Sequence, residues 1–177
     1  STPDVMAAAA EVGVDLINDV RALARPGALK MAAQTGLPVC LVHMQGSPST
    51  MQVNPQYADL IEEINRFFTS RIEACREAGI AKENIVLDPG FGFGKFPEHN
   101  LELVNRLDEF LVHGLPLLVG LSRKSTIAGI VDDRLVGSVA GAIMAVVHGA
   151  KFVRVHDVRE TVDALKIVTA ITTESLD

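Results

Sequence analysis

The chain has 177 residues, of which 48% are hydrophobic and 21% charged, enough for one domain with a substantial core and unlike a disordered chain. A net charge of −6 argues against general binding to nucleic acid or anionic membranes, while leaving room for a local basic pocket and a small anionic ligand. Cys40 and Cys75 lack C-x-x-C spacing and read as free structural thiols of a reducing, cytoplasmic compartment. The start STPDVMAAAA shows no basic segment before an apolar core, and the apolar run 135–147 is short for a bilayer, so neither export nor membrane insertion is expected.

In chain order, Thr2, Pro3 and Asp4 open a helix that stops at Gly13. VDLINDV, from Val14, is the first apolar strand, and Pro26 to Thr35 with Gly36 behind it is the next helix. After the strand PVCLVHM come Asn54 and Pro55, then a long helix with Tyr57, Leu60, Ile61, Ile64, Phe68, Ile72 and Cys75 on one face, ended by Gly79. NIVLDP is the third strand. Asn100 is expected to cap a helix carrying Leu101, Val104, Leu107 and Leu111. PLLVGLS is the fourth strand, with a helix starting near Ser125 after it. Leu135 to Gly149 is apolar nearly all round, and Gly137, Gly141 and Ala145 at intervals of four invite close approach of a neighbouring backbone. KFVRVHD and a helix from Arg159 to Ile171 complete the chain.

Strand and helix therefore alternate without a linker, as in an open doubly wound sheet or a (β/α)8 barrel. The strand ends favour the barrel. Asn18 and Asp19, His43 and Gln45, Asp88, Ser122 to Lys124, and Arg154 with His156 and Asp157 load every strand end with polar groups, and a barrel gathers all such ends at one mouth. Five βα units do not close an eight-stranded barrel. The expectation is a single domain over 1–177 that forms a partial TIM barrel lacking three N-terminal units, with open edges that make the chain fold poorly alone.

The stretch LDPGFGFGK resembles a phosphate loop yet fails both the Walker and the G-x-G-x-x-G patterns. Asp88 is either a turn residue or a carboxylate held at the mouth, and the glycines let the chain approach a flat ligand. Phe91 and Phe93 either both pack in the core or divide between core and ligand. SRKS from Ser122 is either a solvated basic turn or a site for an anionic or carbonyl-bearing ligand. On a strand, Arg154 and His156 share a face and suit phosphate or pyrophosphate. Asn18 is favoured over Asp19 as a ligand contact. His43, Gln45 and His156 lack a carboxylate at ligand spacing, so no metal site is assigned to them. No nucleophile elbow is visible.

LINDVRAL, LVHMQGSPSTMQ, LDPGFGFGK, LLVGLSRKS and FVRVHDV, in this order, resemble the dihydropteroate synthase family of pterin-binding barrels, across essentially the whole chain. The resemblance implies condensation of dihydropterin pyrophosphate with p-aminobenzoate to dihydropteroate and pyrophosphate, in folate biosynthesis. It implies Asp88 and Lys124 as catalytic residues; Asn18, Asp88, Phe93, Lys124 and Arg154 around the pterin; Ser125 near p-aminobenzoate; and Arg154 with His156 on the pyrophosphate. It also implies Mg2+, held mainly by N-terminal segments absent here, sulfonamides as inhibitors, and a homodimer. The short IVDDR turn and Val42, where a methionine is common in the family, depart from the pattern. A pterin-binding methyltransferase domain and a catalytically dead binding fragment are the alternatives.

Overall fold

The computed structural model describes residues 2–175. Helix α1 (Pro3–Glu11) starts at the expected proline and is followed by Gly13 at φ +84°. Strand β1 (Ile17–Asp19), helix α2 (Ala28–Thr35) and strand β2 (Val39–Val42) follow. Helix α3 (Leu60–Glu77) begins at Leu60, later than the pattern after Pro55 suggests, because Asp59 accepts from the Glu62 amide at 3.0 Å and caps it there. Its apolar face buries Leu60, Ile61, Ile64, Phe68 and Cys75, and each large apolar side chain so buried contributes about 1.5–3 kcal/mol.

Strand β3 (Ile85–Asp88) leads through the glycine-rich turn into helix α4 (Pro97–Asn105). Asn100 does not cap this helix. It lies inside α4, and its buried amide turns back to accept from the Gly92 N–H at 2.7 Å and donate to Thr126 Oγ1 at 3.0 Å. The expected apolar stripe also shifts: Leu101 and Leu111 are exposed, while Leu103, Leu107 and Phe110 enter the core, the last two from a separate 3-10 segment, Leu107–His113. Strand β4 (Leu117–Val119), the short helix α5 (Ser125–Ala128), helix α6 (Arg134–Val147), strand β5 (Ala150–Val153) and helix α7 (Val158–Thr173) complete the order. Helix α6 is buried only on one side, with Val136, Met144 and Val147 exposed. Gly137 and Gly141 accommodate side chains rather than a neighbouring backbone: a Cβ would meet Ile127 and Val131 at the first and Leu121 at the second.

Among the described residues the strands form one parallel sheet in the order β1-β2-β3-β4-β5. A doubly wound sheet reverses its strand order part-way, and this one does not. The chain is thus an arc of a (β/α)8 barrel. Register gives the sheet two faces, because Ile17 pairs with Val39 and Val39 with Ile85, while Asn18 pairs with Cys40 and Cys40 with Val86. Odd-numbered residues of β1 to β4 join the large core under the helices. Even-numbered ones line the inner face, where Cys40, Val42, Val86 and Leu118 pack with Leu16 and Phe93. Both cysteines are free and buried.

Candidate active site

Asp88 ends β3 on the inner face, 2% exposed, and its Oδ1 accepts from the Gly90 N–H at 2.8 Å. Burial pushes its carboxyl up from the ordinary range, while the Gly90 N–H, Lys124, Arg154 and Lys95 pull the other way. The chain can turn this sharply because Gly90, Gly92 and Gly94 all have positive φ, +74°, +78° and +63°. A Cβ on Gly90 would lie 1.8 Å from the His43 carbonyl oxygen, and one on Gly94 2.6 Å from that of Gln45. Backbone thus packs directly on backbone at the end of β2. The two phenylalanines divide: Phe91 is 2% exposed in the main core, and Phe93 lies half-buried against the inner-face cluster.

Lys124, just before α5, sends its ammonium to the same turn. It donates to the Phe91 carbonyl and lies 4.7 Å from the centre of the Phe93 ring. Burial pulls it down to about 8, opposed by the charge of Asp88 and reinforced by Arg154. Arg123, at φ +57°, points away and pairs with Asp157, while Ser125 is exposed at the first position of α5.

Arg154 follows β5, and its amide still pairs with the Val119 carbonyl at 2.9 Å, so the alternation of the strand continues past its end. Its guanidinium lies over Gly120, where a Cβ would come within 3.0 Å of Nη2. His156, two residues on, is exposed, and Ser122 holds it twice: Ser122 Oγ accepts from the His156 N–H at 3.2 Å and lies 3.0 Å from its Nδ1. The hydroxyl, with one proton and two lone pairs, thus contacts both the backbone and the ring of His156 and holds the ring in place. Asn18 is exposed on the inner face, whereas Asp19 faces the other side and accepts from the Leu23 N–H at 2.8 Å and the Arg21 N–H at 3.3 Å. The structure therefore brings Asp88, Lys124, Phe93 and Arg154 around one place on the inner face, with Asn18 on β1, two strands from Asp88, and Ser125 and His156 at the rim.

His43, Gln45 and His156 do not converge. His43 Nδ1 lies 2.9 Å from Lys95 Nζ, and Gln45 pairs with both the carbonyl (2.6 Å) and the amide (2.9 Å) of Gln56. Among the described residues no three His, Cys, Asp or Glu side chains gather as a metal site. Lys95 and Thr126 also shape the site, together with Asn100, which the sequence suggests only as a helix cap, and Ser122, which it suggests as part of the SRKS turn.

Residues 1–156 match the family of pterin-binding enzymes. The chain belongs to this family. It is 54% identical to the dihydropteroate synthase of Escherichia coli (strain K12) over 174 residues, 96% of this chain and 62% of that protein. With the Haemophilus influenzae dihydropteroate synthase the identity is 52% over 167 residues, 92% of this chain and 61% of the relative. Among solved structures, the Yersinia pestis dihydropteroate synthase with a sulfonamide drug complex superposes with a TM-score of 0.96 at 51% identity, over 99% of this chain and 65% of that one. The Xanthomonas albilineans dihydropteroate synthase in complex with 7,8-dihydropteroate gives 0.89 at 43% identity, over 97% and 64%. The chain thus spans somewhat under two thirds of the length of these pterin-binding relatives.

Proposed function

We propose that the chain supplies the pterin-reading side of a dihydropteroate synthase, as a single domain over 1–177 completed by segments like those its relatives carry. The observation that carries this reading is the buried Asp88 carboxylate, flanked by Lys124 and Arg154 at the mouth of the arc, with Phe93 half-buried on the same face. A pterin presents a ring N–H beside an amino group, which matches the two oxygens of a carboxylate. Asp88 orients that edge, Lys124 donates to a pterin acceptor, Asn18 adds a polar contact, and Phe93 packs on the ring.

The same groups support displacement at the exocyclic methylene. As the C–O bond breaks, its electron pair leaves with the diphosphate, and the positive charge left on the pterin is stabilised by Asp88. The Arg154 guanidinium and the His156 ring bind the departing diphosphate. The amine of p-aminobenzoate, near Ser125, then attacks the methylene and loses a proton. No covalent bond to the protein forms. Magnesium, which the resemblance implies, finds no ligand set of His, Cys, Asp or Glu among the described residues.

Sulfonamides are proposed as inhibitors, in line with the Yersinia pestis complex. A homodimer is supported by apolar residues exposed on α6 and α7, among them Val136, Met144, Val162, Ile167 and Ile171. Among the described residues no helix is long and apolar enough to cross a membrane, and a cytoplasmic setting is supported by the two free thiols. The test is Asp88→Ala in the full-length protein, assayed for dihydropteroate formation. Turnover is expected to fall by about a thousandfold or more, and near-normal kinetics overturn the reading.

A further inference from the structure

Lys95 plays no part in the mechanism above, yet its setting is costly. It is 3% exposed, and a buried ammonium costs several kcal/mol unless its protons are satisfied. Here three acceptors surround Nζ: His43 Nδ1 at 2.9 Å, the Gly90 carbonyl at 3.1 Å and the Phe93 carbonyl at 3.1 Å. An ammonium has three N–H groups, so the cage fits the charged form. His43 can accept because burial and the neighbouring Lys95 push its imidazole down to about 2, keeping it neutral. The face of the Tyr57 ring, 5.9 Å from Nζ, adds a further favourable contact. Packing alone would place an apolar side chain here.

Two of the three acceptors belong to residues that build the site from their other atoms. Gly90 donates its N–H to Asp88, and Phe93 carries the ring over which Lys124 lies. We propose that Lys95 is a positioning residue for the pterin site: by tying the Gly90 and Phe93 carbonyls to His43 at the end of β2, it sets the Asp88 carboxylate and the Phe93 ring for a flat heterocycle. Its charge also favours the ionised Asp88 from behind, where Lys124 and Arg154 do so from the inner face. This inference rests on the reading of the site as pterin-binding.

The experiment is steady-state kinetics of Lys95→Met and Asp88→Asn in the full-length protein. Lys95→Met is expected to raise KM for the pterin substrate by about tenfold or more, with KM for p-aminobenzoate held within about twofold. General loosening would instead lower the active fraction and leave both KM values alone. If Asp88→Asn weakens pterin use but Lys95→Met leaves that KM unchanged, the role given to Lys95 is overturned. If Asp88→Asn itself has no effect, the pterin reading fails, whatever Lys95 does. Should Lys95→Met not fold, 15N NMR of the wild-type lysines decides. At about pH 6, below the value of about 7 to which burial draws Lys95, a caged ammonium keeps a slowly exchanging Nζ–H signal, which pterin-6-carboxylic acid is expected to shift and p-aminobenzoate is not; a missing or unmoved signal overturns the proposal.

Discussion

Lys124 clasps the glycine-rich turn through both of its aromatic residues, with its ammonium 4.7 Å from the Phe93 ring centre and donating to the Phe91 carbonyl. A cation held in this way is ordered by protein rather than by water, and it meets Asp88 across the inner face. The arrangement places a desolvated positive charge where the carboxylate gains most from it. The cost is carried by the lysine, which burial draws down to about 8.

That cost predicts a dependence of stability on pH. Burial holds Lys124 at about 8 and Lys95 at about 7, against an ordinary value of 10.5. Between the folded and unfolded values the unfolded chain binds more protons, so the lysines make stability rise with pH, from about 7 for Lys95 and about 8 for Lys124. Above about 9 the buried thiols of Cys40 and Cys75 act in the opposite sense, because their folded values are raised from 9.0. Calorimetric melts of wild type and Lys124→Met from pH 7 to about 9 separate the two effects. The variant is expected to be the more stable at pH 7, by a few degrees, about 2–4 °C per kcal/mol for a domain of this size. Its advantage shrinks as pH rises, and a constant difference contradicts the linkage.

Glycines that share a left-handed backbone do not tolerate substitution equally. Gly13 has φ +84°, and a Cβ added there would have nothing within 4 Å, so Gly13→Ala meets only the backbone penalty, about 1–2 kcal/mol. Gly90 has the same kind of conformation, but its Cβ would lie 1.8 Å from a backbone oxygen at the end of β2, which cannot swing aside as a side chain can. Gly90→Ala is expected to cost about 3 kcal/mol or more, with the displacement reaching Asp88 through the Gly90 N–H. Urea titration of the two variants should place their midpoints well apart, and equal midpoints would contradict the close approach.

Much of this architecture is legible in the sequence, because strands bounded by Pro and Gly and loaded at one end announce a barrel mouth. The alternation of side chains then puts Asn18 and Asp88 on the inner face and Asp19 behind it. Asn100 shows where such reasoning stops. A polar residue before Leu101 looks like a cap, but its amide spans two segments far apart in the chain, joining Gly92 to Thr126. Lys95 escapes for a related reason. Its partners are two carbonyls of its own turn and a histidine brought close only where that turn packs on the end of β2, and such contacts leave no periodicity to read.

Ser122 gives the sharpest test of how the anion end works. Its hydroxyl accepts from the His156 amide and faces Nδ1 of the same residue, at 3.2 Å and 3.0 Å, so it holds both the backbone and the ring of an otherwise exposed histidine. Without the hydroxyl, the exposed ring loses the contact that holds its free edge toward a diphosphate. Ser122→Ala is therefore expected to weaken product inhibition by inorganic pyrophosphate about five- to tenfold, the equivalent of one hydrogen bond of about 1–1.5 kcal/mol. Affinity for a pterin probe should stay within about twofold, because Asp88 and Phe93 are untouched. Ser122→Thr keeps the hydroxyl and should restore most of the inhibition. If alanine and threonine behave alike, the histidine is oriented by something other than Ser122; if pterin affinity falls together with pyrophosphate affinity, Ser122 supports the whole mouth instead of its anion end.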